Sequence, residues 1–349
     1  FSSKAAKSQA VARDLGIDPA RAYGSYDELV GRESLLPERT RPDIVCIAAP
    51  NDLHLPVAKA ALEAGFHVVC DKPMTVTLDE ARALKRVVDK SGRVFALTHN
   101  YTGYPMIKLA RDLVRRGNLG KVRKVVVQYK QGWMTTDRGK RRLKTWRNDP
   151  AKVGGAGALG DIGTHAENLA EYVTGLRIRE LCADLASFTP KVRVDDDANI
   201  LLRFDSGANG VLIATRIAAG ERNGLSINVY GERGGLTWHQ ENPNDLRVTP
   251  SSGPAAVWNT GDAGIADISP AAVRATRLPA GHPEGFIEAF ANLYKNVADT
   301  IHARQRGEEV PEEVGDFPNV NDGLRGIQFI QAALKSAGSK QKWTKMPAK

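Results

Sequence analysis

The sequence predicts an α/β protein: a doubly wound parallel sheet, followed by an α/β region built on a large, mostly antiparallel sheet. Two observations carry this. Over the first hundred residues short apolar runs alternate with helical patterns, as repeated βαβ units do. From Val122 onward strand patterns follow one another with Gly-containing turns between them. A chain of 349 residues is long enough for two domains of ordinary size.

The elements follow in order. Lys4 to Gly16 places Ala5, Ala6, Val11, Ala12 and Leu15 at helical spacing and stops at Gly16. A domain seldom opens on a helix without the strand that feeds it, so a segment preceding Phe1 is expected. Asp43 to Pro50 is a continuous apolar run, expected as a strand buried on both faces. Pro56 and Gly65 bracket a helix, one suited to a first turn and the other to a stop. Phe66 to Cys70 is the next buried strand. Thr77-Leu78-Asp79-Glu80 is a capping box that opens a helix running to Ser91-Gly92. Val94 to Thr98 is a third strand. Ligands of such sheets lie beyond the carboxyl ends of the strands, here Pro50-Asn51, Asp71-Lys72-Pro73 and His99-Asn100.

Tyr104 to Gly117 reads as a helix, Val122 to Tyr129 as a half-buried strand and Lys130 to Gly160 as a long Lys-, Arg- and Gly-rich loop. Asp161 to Gly175 reads as a helix. Arg179 to Phe188, Ala198 to Phe204, Ala208 to Ile217, Leu225 to Tyr230 and Gly235 to His239 are successive strands. The turns Asp205-Ser206-Gly207 and Gly231-Glu232-Arg233-Gly234 interrupt them. Ser251 to Gly281, rich in Pro, Gly and Ala, is expected as loop. Pro283 to Ala303 and Gly323 to Ser336 are helices. No internal repeat is present.

Composition narrows the function. Apolar residues at 42% and charged residues at 26% exclude a disordered chain. No apolar run approaches the roughly 20 residues of a membrane span, and no charged start leads into an apolar leader. Three cysteines are too few for a disulfide framework. Cys46 and Cys70, inside apolar runs, are expected as buried thiols of a reducing compartment, which places the chain in the cytoplasm. No Cys/His metal pattern occurs. The net charge of +9 is concentrated at Lys121 to Lys124 and Arg138 to Arg147. These clusters lack interleaved aromatics, so they read as solvated basic surface rather than a nucleic-acid site.

Gly155-Ala156-Gly157-Ala158-Leu159-Gly160 matches a dinucleotide-binding fingerprint by letter only. That fingerprint follows a buried strand, and Asn148 to Lys152 is not one. The glycines are expected to let the backbone pass close to a ligand or to packed structure, and any true phosphate loop would precede Phe1. Asp161 and His165, spaced i,i+4, share a helix face. A carboxylate there raises and orients an imidazole, which suits a general base. Lys72, at a strand end beside Asp71, can polarise a hydroxyl or carbonyl oxygen.

Ala49-Pro50-Asn51-Asp52-Leu53-His54 and Ala64 to Pro73 resemble the glucose-fructose oxidoreductase / inositol dehydrogenase / rhizopine catabolism (Gfo/Idh/MocA) family, with Asp71 where that family usually has Glu. Gly154-Gly155 through Leu159-Gly160-Asp161-Ile162-Gly163-Thr164-His165 resembles its second motif. The resemblance implies a Rossmann domain over 1–100 lacking its first strand and phosphate loop. It implies a substrate-binding and oligomerisation domain over 101–349, whose open sheet forms a homodimer or homotetramer.

It also implies NAD(P)-dependent hydride transfer at a hydroxyl-bearing carbon of a sugar, inositol or related polyol. The matching catalytic positions are Lys72, Asp161 and His165: base at His165, oxygen-holding lysine at Lys72, orienting acid at Asp161. No metal is implied. Pro50, Asn51, His54, Asp71, Lys72, Asn100, Trp146 and Arg147 would lie along the cofactor, and Tyr101 and His282 beside Lys72, Asp161 and His165 on the substrate. Thr102 stands where many members carry an Arg, which removes that contact. Ser2, Ser3 and Lys4 at the end of the second strand offer no acid for a ribose 2′-hydroxyl, a lean to NADP. The same motifs admit an NAD-dependent glycoside hydrolase acting by transient oxidation, or a non-catalytic sugar or cofactor sensor. A sensor need not keep Lys72, Asp161 and His165.

Overall fold

The computed structural model describes residues 4–137, 139 and 146–347. After helix α1 (Ala5–Asp14) and helix α2 (Tyr26–Glu33), the parallel sheet is built from β1 (Ile44–Ile47), β2 (His67–Cys70) and β3 (Phe95–Leu97), in that order. The connections are α3 (His54–Glu63) and α4 (Leu78–Ser91). The capping box at α4 forms as its sequence requires: Glu80 N–H donates to Thr77 Oγ1 at 3.2 Å and Thr77 N–H to Glu80 Oε2 at 3.0 Å. Helix α3 begins at His54, two residues ahead of the expected proline, because a 3₁₀ turn over Asn51–Leu53 leads directly into it.

One expectation is corrected at β1. Val45 and Ile47 are buried, but Cys46 between them is exposed. β1 is the outer strand of the described sheet, so it alternates as a half-buried strand does. Cys70, on the central strand, is fully buried as expected. The other edge of the sheet is closed by the far end of the chain. Leu97 N–H donates to the Pro318 carbonyl at 2.8 Å and Ala96 bridges to Asn319.

Helix α5 (Pro105–Arg115) leads into a nine-stranded sheet among the described residues. It comprises β4 (Val122–Lys130), β5 (Ile178–Ala186), β6 (Asp197–Phe204), β7 (Asn209–Thr215), β8 (Gly224–Gly231), β9 (Gly234–His239), β10 (Asn242–Pro250), β11 (Ala256–Asn259) and β12 (Thr344–Lys345). The spatial order is β11-β10-β9-β8-β4-β7-β6-β5-β12, antiparallel throughout except for the β4–β7 pair. That parallel pair sets the carboxyl ends of β4 and β7 side by side, Lys130 opposite Thr215. Ser251 to Gly281 is not all loop. It contains β11 and helix α8 (Pro270–Ala275), which comes after α6 (Pro150–Val153) and α7 (Thr164–Thr174) in the chain, with Ser269 Oγ capping Ala272 N–H. Small residues there gave no periodic signal, and Ala271, Ala272 and Ala275 are nevertheless buried.

Helices α9 (Phe286–Gln305) and α10 (Val320–Ala337) return to the first sheet, where Val297 and Ile301 pack on Val69, Val94 and Ala96. Among the described residues no helix is long and apolar enough to cross a membrane.

Candidate active site

The long loop after β4 contains short helix α6 (Pro150–Val153) and runs into a π-helical turn, Leu159–Gly163, ahead of helix α7 (Thr164–Thr174). The Gly-rich stretch is held by an internal acid. Asp195 accepts from Gly157 N–H at 2.6 Å and Leu159 N–H at 2.7 Å through its two carboxylate oxygens, and its carbonyl accepts from Ala158 N–H at 2.8 Å. A Cβ at Gly157 would lie 2.0 Å from the Asp195 carbonyl oxygen, so glycine is required by close packing. The fingerprint-like letters therefore serve packing, and the amides that a phosphate would need are already filled by a carboxylate.

The π-turn brings Asp161 under Lys72. Lys72 Nζ donates to Asp161 Oδ1 at 2.8 Å and to the Asp161 carbonyl, while Arg216 Nη2 donates to Asp161 Oδ2 at 2.7 Å. Burial pushes the Asp161 carboxyl up, but the two cations outweigh it and hold the group far below the usual carboxylate range. Lys72 thus takes its partner from the π-turn, 89 residues further along the chain. Its neighbour Asp71 turns away and accepts from Thr98 Oγ1 at 2.7 Å.

His165 lies one turn beyond Asp161, yet among the described residues its ring hydrogen-bonds to His99 and not to Asp161. His99 Nδ1 faces His165 Nδ1 at 3.3 Å, so one ring donates and the other accepts. Tyr101 meets the His165 ring edge-on at 4.8 Å between centroids. The Tyr101 and Tyr129 hydroxyls meet at 2.5 Å, and Tyr129 donates to Asn223 Oδ1 at 2.7 Å. Burial drives His165 well below the ordinary imidazole value, and the Lys72 charge and His99 push the same way. Burial, then Lys72, brings His99 down to about 3. His165 is a neutral imidazole beside an ammonium.

Lys72, Asp161 and Arg216 floor a cleft of about 300 Å³ at the carboxyl ends of β1 and β2, whose lining does not include His165, His99 or Tyr101. Pro50, Asn51, Asp71, Lys72, Trp146, Arg147, Asp161 and Arg216 are among its lining residues. Arg147 stacks on Trp146, its Cζ 4.5 Å from the ring centroid. Other expected positions stand elsewhere. His54 is fully buried and braces the strand ends from behind, its ring nitrogens 2.9 Å from the Pro73 carbonyl and 3.0 Å from that of Ala49. Asn100 is buried, and among the described residues its Nδ2 has no partner. His282 is exposed, with Nδ1 3.2 Å from the Pro279 carbonyl, and is not brought to the cleft. Ser2, Ser3 and most of the Arg138 to Arg147 cluster lie outside the described residues. Among the described residues no His, Cys, Asp and Glu group has a metal-holding arrangement.

Sequence reasoning missed Arg216. The only signal was a charge in the apolar strand run that ends at Ile217.

Residues 1–99 match the model of an oxidoreductase family with an NAD-binding Rossmann fold, and residues 107–237 match the Gfo/Idh/MocA C-terminal domain. The structure of an oxidoreductase from Sinorhizobium meliloti is 41% identical, with a TM-score of 0.87, covering 99% of this chain and 90% of that one. An inositol dehydrogenase homolog from Azotobacter vinelandii, complexed with NADH and myo-inositol, is 32% identical, with a TM-score of 0.90, over 99% and 88%. A levoglucosan dehydrogenase of Pseudarthrobacter phenanthrenivorans is 27% identical over 96% of this chain and 87% of that one.

Proposed function

The chain belongs to the Gfo/Idh/MocA family of oxidoreductases, and from that premise we propose that it oxidises a hydroxyl-bearing carbon of a sugar, inositol or related polyol with NAD(P). The observation that carries this reading is the joining of Lys72 and Asp161 at the floor of one strand-end cleft, with a neutral His165 within reach of the Lys72 charge.

The cleft suits a nicotinamide dinucleotide by its donor set. Trp146 offers an aromatic plate, Asn51 a side-chain amide and Arg147 an exposed cation. Pro50, Asn51, Asp71, Lys72, Trp146 and Arg147 would hold the group, with His54 fixing the loops behind it. Bound there, it supplies the acceptor for a hydride.

The rest falls to the chain's own residues. Lys72 donates to the substrate oxygen and stabilises negative charge as it develops. His165 accepts the hydroxyl proton, for which it must be neutral, and its burial keeps it so. The O–H bond breaks toward His165, the C–H bond breaks with its electron pair leaving as hydride, and a carbonyl remains. Asp161 aims Lys72, and His99 and Tyr101 fix the His165 ring.

We assign cofactor and substrate binding to 1–100 and 101–349 respectively. Ser2, Ser3 and Lys4 favour NADP. Three free cysteines suit a cytoplasmic setting. The exposed Leu201, Tyr230 and Val257 on strands β6, β8 and β11 favour a homodimer or homotetramer through the open sheet.

Parallel fluorescence titrations of the full-length protein with NADPH and NADH, followed by a turnover screen of inositols and aldoses, test the proposal. Saturable binding and oxidation of a polyol are expected. A folded, cofactor-free protein that binds neither removes the reading.

A further inference from the structure

We propose that Arg216 positions the substrate by donating to a second oxygen, on the carbon next to the one that reacts; this rests on the dehydrogenase reading above. Arg216 follows directly on the carboxyl end of β7, and its side chain is only 5% exposed. It lines the same cleft as Lys72 but enters from the second sheet.

Its hydrogen bonding is incomplete. Among the described residues the guanidinium has one acceptor, Asp161 Oδ2, and its buried Nε has none. A guanidinium has no acceptor capacity of its own and cannot shed its charge. Leaving its N–H groups unpaired in a buried place is costly. The Trp133 ring, 5.5 Å from Cζ, steadies it without taking a full hydrogen bond.

The nearby acceptors point the same way. Asp161 is a single carboxylate shared by two cations, one on each oxygen. Asp195 accepts from the amides of Gly157 and Leu159, and Asp71 from Thr98 Oγ1. Among the described residues neither accepts from Arg216, which leaves donor capacity on the guanidinium at the cleft floor.

Two N–H donors bracketing one carboxylate and lining one cleft match two neighbouring oxygens of a polyol. Lys72 takes the oxygen that becomes the carbonyl, and Arg216 takes its neighbour. The substrate class is then narrowed to compounds with an oxygen on the carbon next to the reacting one.

The test pairs the best substrate from a panel of inositols and aldohexoses with its analogue lacking the adjacent hydroxyl. Wild type should prefer the hydroxylated compound by about 10- to 100-fold in kcat/KM, the range of a buried hydrogen bond to a charged group. Arg216→Gln should lose most of that preference, whatever happens to the absolute rates. Calorimetric titration of the same pair into protein loaded with reduced cofactor should show the same collapse in Kd. A purely structural role would slow or destabilise the enzyme equally for both compounds and leave the ratio intact. Should Arg216→Gln fail to fold, Arg216→Lys, which keeps a cation for Asp161, decides: a ratio unchanged from wild type overturns the assignment. If wild type turns over polyols but both variants keep its ratio, only the Arg216 inference falls. If wild type neither binds nor oxidises any member of the panel, the dehydrogenase reading falls and this inference goes with it.

Discussion

Lys72 and Asp161, 89 residues apart in sequence, are joined twice: the Lys72 ammonium donates to the Asp161 carboxylate at 2.8 Å and to the backbone carbonyl of the same residue. The second bond fixes the lysine to the π-turn itself, so its direction is set by backbone as well as by charge. A lysine so held has lost its rotamer freedom before substrate arrives.

Lys72→Ala should therefore lower kcat by about 10²- to 10⁴-fold, the usual worth of a positioned catalytic group. Cofactor affinity should stay within a few fold. Steady-state kinetics with a fluorescence titration separate the two, and unchanged turnover would remove Lys72 from the mechanism.

The pH–rate profile should place its acid limb below the ordinary imidazole range, since burial, Lys72 and His99 all lower the proton affinity of His165. The base is then active from neutral pH down to acidic conditions in which a free histidine would be protonated. His165→Asn should flatten that limb. A profile identical to wild type would reject His165 as the base.

Stability should decline with acid for a related reason. His99, lowered to about 3 by burial and then Lys72, binds fewer protons folded than unfolded. The unfolded chain therefore gains protons first as the pH drops below about 6.5, the free histidine value. The stability from keeping His99 neutral is fully present above that pH and is lost progressively as pH falls toward 3. Thermal melts from pH 7 to pH 4 should show falling Tm, less steeply in His99→Asn. Parallel curves for the two proteins would contradict this.

Asp195→Ala should cost about 1–3 kcal/mol or more, because it strips acceptors from buried amides of Gly157 and Leu159. Turnover should fall as well, since the π-turn carrying Asp161 begins at Leu159. Urea unfolding measures the first effect, and a midpoint within error of wild type would show that the clasp contributes nothing.

The first sheet was legible because its signals are local. A capping box, paired Pro and Gly boundaries and apolar runs each act within a few residues, and α4 forms as Thr77 and Glu80 require. Lys72, Asp161 and His165 were found from motif resemblance, and the structure brings them together. Their partners were not legible. Arg216 meets Asp161 across 55 residues, and His99 meets His165 across 66, contacts that no local pattern encodes. Asp71 is adjacent to Lys72 in sequence, but its carboxylate is taken by Thr98, and Lys72 reaches Asp161 instead. The misread span Ser251 to Gly281 is built from small residues whose burial depends on what packs over them.

The closure of β3 by Pro318 and Asn319 bears on how the molecule can be divided. Cut after residue 100, the first part would present the unpaired rim of Phe95–Leu97 and the bared faces of Val94 and Ala96, which Val297 and Ile301 now cover. Such a rim is a template for pairing with another chain. The segments before and after residue 100 thus share one packed core, and the first hundred residues expressed alone are expected to aggregate where the whole chain does not.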